Sequence, residues 1–194
     1  QGSLKSVPLP KPPTIKGRSA ILAGSCSEMT LSQLAHTQNK TDWPHRRIDS
    51  KCVEDPDGTI KDILDWAARQ PSDKPVVIYS SAAPDEIAAL HEKIGREHSG
   101  ELMERIISGI AAGLAPQGVT QFVLAGGETS GAVLQALKVK SLRIGPEIDP
   151  GVPWTEAVTE AMTEAQLEPT LALTLKSGNF GAEDFFVKAL KMLG

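Results

Sequence analysis

"FVLAGGETSGAVLQAL", residues 122–137, passes from an apolar run into two glycines, an acid, two hydroxyls and a third glycine, then into residues at helical spacing. A buried strand that ends in a glycine turn and restarts as a helix is the repeating step of an α/β fold. The same step occurs elsewhere in the chain. "SAILAGS" (19–25) is an apolar run closed by Gly24. In "SEMTLSQLAHTQN", which follows, Ser27 is placed to cap a helix. Met29, Leu31, Leu34 and Ala35 form that helix's apolar face, with Thr30 and Gln33 on another side. "TLALTLKSG" (170–178) is a strand ending in glycine, and "AEDFFVKALKML" after it reads as a helix.

The stretches between fit the same alternation. "PVVIYSS" (75–81) is a strand rich in β-branched residues, and "RRID", "QFVLA" and "SLRIG" read as strands. "DGTIKDILDWAARQ" has apolar positions 60, 63, 64, 66 and 67, a helical spacing that Pro71 and Pro75 bring to a stop. "PDEIAALHEKIG", "SGELMERIISGIAAGLA" and "GAVLQALK" read as helices. Strands alternating with helices predict an α/β domain, a mostly parallel sheet with helices on both faces in a Rossmann-like three-layer arrangement.

The 194 residues suit one domain of ordinary size, with 40% hydrophobic and 23% charged residues. A net charge of −4 and the lack of a basic block argue against a nucleic-acid partner. No apolar run approaches the roughly 20 residues a membrane span needs, so no membrane partner is expected. Cys26 and Cys52 are too few for a disulfide framework, and a reducing, cytoplasmic setting fits them. Neither has a CxxC partner and the four histidines are scattered, so no metal-ligating residues are assigned. "QGS" at the start reads as a terminal remnant, and "VPLPKPPTIKG" carries four prolines and reads as a linker. The expected organisation is therefore a remnant and Pro-rich linker over 1–17 and one folded domain over 18–194.

Three strand ends combine glycine with hydroxyls: "AGSCS", "AGGETSG" and "KSGNFG". In open α/β sheets, ligands bind beyond the carboxyl ends of the strands. Glycine lets the backbone approach a ligand, and the amides at a helix start favour an anion. Three such turns point to a phosphate-bearing or nucleotide ligand. Each also has a plainer reading: Ser27 as a simple helix cap, Gly178 as a positive-φ turn residue, Lys176 as a solvated strand end. Neither GxxxxGK[ST] nor GxGxxG occurs. Glu128, beside two glycines, is suited to a metal ion or a ribose hydroxyl, or to the amides of its own turn. "RIGPEIDPGVPW" (143–154) reads as a stiff loop whose Glu147 and Asp149 either reach Mg²⁺ or face solvent. Trp154 there either stacks on a base or packs, and Trp43 and Trp66 read as packing. Both cysteines read as small buried thiols rather than nucleophiles, since no histidine presents itself as a base.

Taken together, "LAGSCSEMTLSQL", "VLAGGETSGAVLQAL", "RIGPEIDPGVPW" and "LKSGNFGAEDFF" resemble the C-terminal nucleotide-binding domain of the four-carbon acid sugar kinases, from about Ser19 to the end. That family includes 3-oxo-tetronate, D-threonate and D-erythronate kinases. The resemblance implies an ATP-dependent kinase acting with Mg²⁺ on the 4-hydroxyl of a four-carbon sugar acid. It implies that ATP is held by Ser25 and Ser27, by Gly126, Gly127, Glu128, Thr129, Ser130 and Gly131, and by Ser177, Gly178 and Asn179. It names no catalytic base on this chain. The family's N-terminal, sugar-acid-binding domain, with its early acidic DD-x-TGA-like motif, has no counterpart in these residues. The chain therefore reads as the C-terminal half of such a kinase. It is expected to bind ATP or ADP, to meet the sugar acid only through the other domain, and to be inactive alone, with a homodimer as a possible assembly. A non-catalytic module sensing a nucleotide or phosphosugar is the alternative.

Overall fold

The computed structural model describes residues 11–80, 88, 92, 94–160 and 171–193. Strand β1 (Arg18–Ala23) leads to helix α1 (Glu28–Lys40), strand β2 (His45–Arg47), helix α2 (Pro56–Ala68) and strand β3 (Val76–Tyr79). Helix α3 (Arg96–Leu114), strand β4 (Val119–Ala125) and helix α4 (Gly127–Ala136) follow. Strands β5 (Val139–Asp149), β6 (Val152–Thr159) and β7 (Leu171–Lys176) then lead to helix α5 (Phe185–Lys191). The helix expected over 84–95 lies mostly outside the described residues.

The strands form one seven-stranded sheet in the order β2-β3-β1-β4-β7-β6-β5. The first five run parallel, and β6 and β5 continue antiparallel. The expected α/β architecture with a mostly parallel sheet is therefore what the chain adopts. The strands' period-2 alternation divides the core between the two faces. Ala20, Leu22, Phe122, Leu124 and Leu173 pack with α2, α3 and α4 through Ile63, Ile106, Ile110 and Val133. Ile21, Ala23, Val123, Ala125 and Ala172 pack on the other face with Leu34 of α1 and Phe185, Phe186 and Ala189 of α5.

The elements themselves differ from the sequence reading in the β5–β6 hairpin, at the start of α4 and in the buried face of α1. "RIGPEIDPGVPW" is not a loop: β5 runs through Glu147 to Asp149, the chain turns at Gly151 (φ 78°), and β6 returns antiparallel. Pro146 is tolerated there because β5 is the edge of the sheet and pairs on one side only. The ladder shifts register between Ile144 and Glu147, where Gly145 and Pro146 fall.

The "GGETSG" segment is not a loop either. The turn is Gly126 alone, at φ 128° and ψ 136°, and Gly127 onward is α4. Helix α1, finally, buries Thr30, Gln33, Leu34 and Thr37, while Ala35 is exposed. Its inward face is polar because it meets backbone carbonyls from the segment after β7. Gln33 Nε2 donates to the carbonyls of Phe180 at 3.1 Å, Gly181 at 3.2 Å and Ala182 at 2.9 Å. Replacing Gln33 with Leu keeps the bulk and leaves the carbonyls of Phe180 and Gly181 without that donor, while Ala182 O keeps the Phe185 amide. The expected cost is roughly 1–3 kcal/mol, read by urea unfolding.

Candidate functional site

Helices α1 and α4 leave neighbouring strands β1 and β4 toward opposite faces of the sheet. The carboxyl ends of these two strands therefore flank a topological switch point, where open α/β sheets take ligands. Backbone hydrogen bonds tie the three glycine turns together at this point. The amides of Gly24 and Ser25 donate to Ala125 O at 3.0 and 3.1 Å, and Gly126 N donates to Lys176 O at 2.9 Å. A Cβ on Gly178 would lie 2.3 Å from Ser25 Oγ and 2.8 Å from Ser27 Oγ. A Cβ on Gly24 would lie 2.1 Å from Thr129 Oγ1. Glycine is needed at these two positions because the turns touch.

The junction gathers amide donors that have no protein partner among the described residues. Helix α4 has no side-chain cap, and the amides of its first turn, Gly127 to Thr129, find no protein acceptor among the described residues. Those of Gly178 and Asn179 find no protein acceptor among the described residues. The carbonyls of this last turn point inward instead, where Thr30 Oγ1 donates to Gly178 O at 3.0 Å. A helix N-terminus with free amides favours an anion by geometry and by dipole.

The candidate residues from the sequence come together here with divided roles. Ser27 caps α1, its Oγ accepting from Thr30 N at 3.2 Å, and Ser25 Oγ donates to Ser27 Oγ at 3.2 Å. Both serines remain partly accessible. Ser130 is buried, and its hydroxyl donates to Gly126 O at 2.7 Å. Thr129 is buried against Gly24. These two hydroxyls build the turn rather than line its mouth. Gly127, Glu128 and Gly131 are exposed, and no ion pair engages Glu128 among the described residues.

The acids of the β5–β6 hairpin are committed elsewhere. Glu147 Oε1 accepts from Gly151 N at 3.1 Å. Asp149 is buried, pairs with Lys188, and accepts from Ala182 N at 2.9 Å. Burial pushes the Asp149 carboxyl up, but the Lys188 hydrogen bond, the Ala182 amide and the Lys188 charge together hold it below its usual value. Its contribution to stability is therefore present above the unfolded-state carboxylate value and lost as pH falls through the folded one. Trp154 is fully buried and donates from Nε1 to Ala189 O at 2.9 Å, so it packs and does not face a base. Cys52 is buried as expected, but Cys26 is exposed in the first turn.

The largest departure is Lys176. It is no solvated strand end: its residue is 1% exposed, and its Nζ donates to Gly178 O at 2.9 Å and Thr30 Oγ1 at 3.1 Å. The signal in the sequence was a lysine closing the apolar run "TLALTL", but only the strand order places that lysine in the middle of the sheet.

The donor set can be tested against MgATP. Five free amides and two accessible hydroxyls suit a polyphosphate. Glu128 is a free carboxylate at the same helix start, sufficient for an ion that takes one or two protein carboxylates and the rest from phosphate and water. Among the described residues no group of three His, Cys, Asp or Glu side chains forms a dedicated metal cage. No described helix is long and apolar enough to cross a membrane.

Residues 20–186 match the family described as "Nucleotide-binding C-terminal domain". The chain is 48% identical over 181 residues to a 3-oxo-tetronate kinase of Burkholderia multivorans, covering 93% of this chain and 40% of that protein. It is 43% identical over 182 residues to a 3-oxo-tetronate kinase of Cupriavidus necator, covering 94% of this chain and 40% of that protein. It spans about two fifths of the length of the curated relatives it matches. A crystal structure of a Haemophilus influenzae protein superposes with a TM-score of 0.82 at 35% identity, over 95% of this chain and 42% of that one.

Proposed function

Because this chain belongs to the four-carbon acid sugar kinase family, as its nucleotide-binding C-terminal domain, we propose that it holds MgATP at the junction of the three turns for a kinase acting on a four-carbon sugar acid. The observation that carries this reading is the set of free amides at Gly127–Thr129 and Gly178–Asn179, facing the switch point beside Ser25 and Ser27. Phosphoryl transfer relies on positioning and on neutralising developing charge, and a cradle of fixed amides does both. In this reading the amides of α4 hold the phosphates, and Glu128 helps hold Mg²⁺, which neutralises phosphate charge when bound. The transfer itself joins the substrate's 4-hydroxyl oxygen to the γ-phosphorus and breaks that phosphorus's bond to the β–γ bridging oxygen. ADP leaves, and the hydroxyl proton passes to a general base, a role assigned to none of these residues. The names of the relatives favour 3-oxo-tetronate over threonate or erythronate.

The test is ADP release by the full-length protein with MgATP and each of the three acids. Turnover is expected with one of them, 3-oxo-tetronate first, and none from this chain alone. Nucleotide binding by the full-length protein without transfer to any of the three would replace the kinase with a nucleotide-sensing module.

A further inference from the structure

We propose that Lys176 is a positioning residue of the nucleotide site, a buried ammonium that fixes the β7 turn and is compensated electrically only when phosphate occupies the junction. The proposal rests on the nucleotide reading above and concerns a residue that the reading does not use.

The geometry comes first. Lys176 closes β7 and points to the face covered by α1 and α5. Its Nζ reaches two groups that shape the site, the Gly178 carbonyl and the Thr30 hydroxyl. From Thr30 the hydrogen bonds continue outward. Ser27 Oγ donates to Thr30 Oγ1 at 3.1 Å, and Ser25 Oγ donates to Ser27 Oγ at 3.2 Å. An ammonium can only donate. The Gly178 carbonyl can only accept, so Thr30 gives its one proton to Gly178 O, accepts from Lys176, and leaves Ser27 to donate to Thr30. Drawing the Gly178 carbonyl inward leaves the amides of that turn facing outward. Lys176 thus acts on the ligand through Gly178, Thr30 and the two serines.

The electrostatics point the same way. Buried ammonium groups are ordinarily paired with a carboxylate. No acid pairs with Lys176 among the described residues. Glu28 on the first turn of α1 and Glu128 on that of α4 are exposed. Glu183 lies near His36, and Asp149 is held by Lys188. Asp184 precedes α5 and is exposed. The ring of Phe186, with its centroid 6.0 Å from Nζ, is at the outer limit of a useful cation–π contact. Thr30 belongs to the first turn of α1, so the ammonium also sits at the positive end of a helix. Two like-signed features face one another under the turns, and a polyphosphate is the group that would balance both.

Burial without a carboxylate pulls the Lys176 ammonium down to about 8. A bound anion favours the charged form and raises that value again. The sign of the linkage follows. Below pH 8 the lysine is charged with or without ligand, and affinity is flat. Above pH 8 the free protein has lost the proton and the complex retains it, so binding takes up a proton. The dissociation constant then rises toward tenfold per pH unit.

The experiment is calorimetry of MgADP binding to this chain between pH 7 and 9.5, in buffers of differing ionisation heat. A Cys26→Ser background is used, which removes the exposed thiol of the first turn. The expected result is uptake approaching one proton above pH 8.5 and a dissociation constant about tenfold higher at pH 9.5 than at pH 8. In Lys176→Met both are absent, while affinity at pH 7 falls. This pH profile needs only the native lysine, so the test stands even where Lys176→Met fails to fold. MgADP binding with no proton uptake and a flat profile would overturn the role of Lys176 and leave the nucleotide reading intact. Absence of MgADP binding at any pH would overturn both.

Discussion

Gly127→Val should weaken binding of MgADP at least 100-fold while leaving the fold as stable as before. Gly127 is exposed at the first position of α4, and a Cβ built there meets nothing within 4 Å. Its backbone is helical, and valine is no worse than glycine in a helix, so the protein itself loses little. The added isopropyl group instead fills the open space beside the free amides, where a phosphate has to approach. A 100-fold loss corresponds to about 3 kcal/mol, the order expected for excluding a charged group from several amide donors. Calorimetry reads the affinity and urea unfolding reads the stability. A variant of native stability that still binds MgADP like the unmodified chain would take the phosphates away from α4. Gly126 makes the contrasting control. It sits in a backbone region open almost only to glycine, and a Cβ there would lie 3.2 Å from Ser25 N. Substitution at Gly126 therefore disturbs fold and site together, and only Gly127 separates them.

The largest expected effect on stability belongs to Trp154→Ala, at about 3–5 kcal/mol. Trp154 is fully buried near the start of β6, against Phe185, Phe186 and Ala189 of α5. Its indole N–H satisfies Ala189 O at 2.9 Å. Removing it opens a cavity between sheet and helix and leaves Ala189 O with the Met192 amide as its donor. Trp154→Phe keeps most of the apolar volume and loses the hydrogen bond, so about 1–3 kcal/mol is expected. For a domain of this size the alanine variant should melt roughly 6–20 °C lower. Trp43 and Trp66 remain as fluorescence probes for that measurement. A loss below about 1 kcal/mol would mean that α5 is not anchored through this residue.

The strand–turn–helix steps were legible because they are local. An apolar run closed by glycine and followed by helical spacing is enough to find β1–α1 and β4–α4, and the three turns could be named from their glycines and hydroxyls. What sequence could not show is which side chains the fold brings together from far apart. Thr30 and Gln33 read as lying off the apolar face of α1 because they are polar. They are buried because their partners are carbonyls 147 to 149 residues away. Lys176 read as a strand end facing water, since nothing local reveals that β7 lies between β4 and β6. Thr129 and Ser130 look like ligand hydroxyls in a loop. Once Gly126 alone makes the turn, helix geometry turns them inward. Strand β6 was hidden by its own chemistry: prolines and acids mark a loop unless the strand before them is an edge, and an edge is a property of the whole sheet.

The most direct test of the account is a nitrogen-edited NMR titration of this chain with MgADP, following each backbone amide. The account predicts saturable shifts at Gly127, Glu128, Thr129, Gly178 and Asn179, reproduced in part by tripolyphosphate alone. Saturable shifts confined to other parts of the chain, with these five amides unmoved, would contradict it.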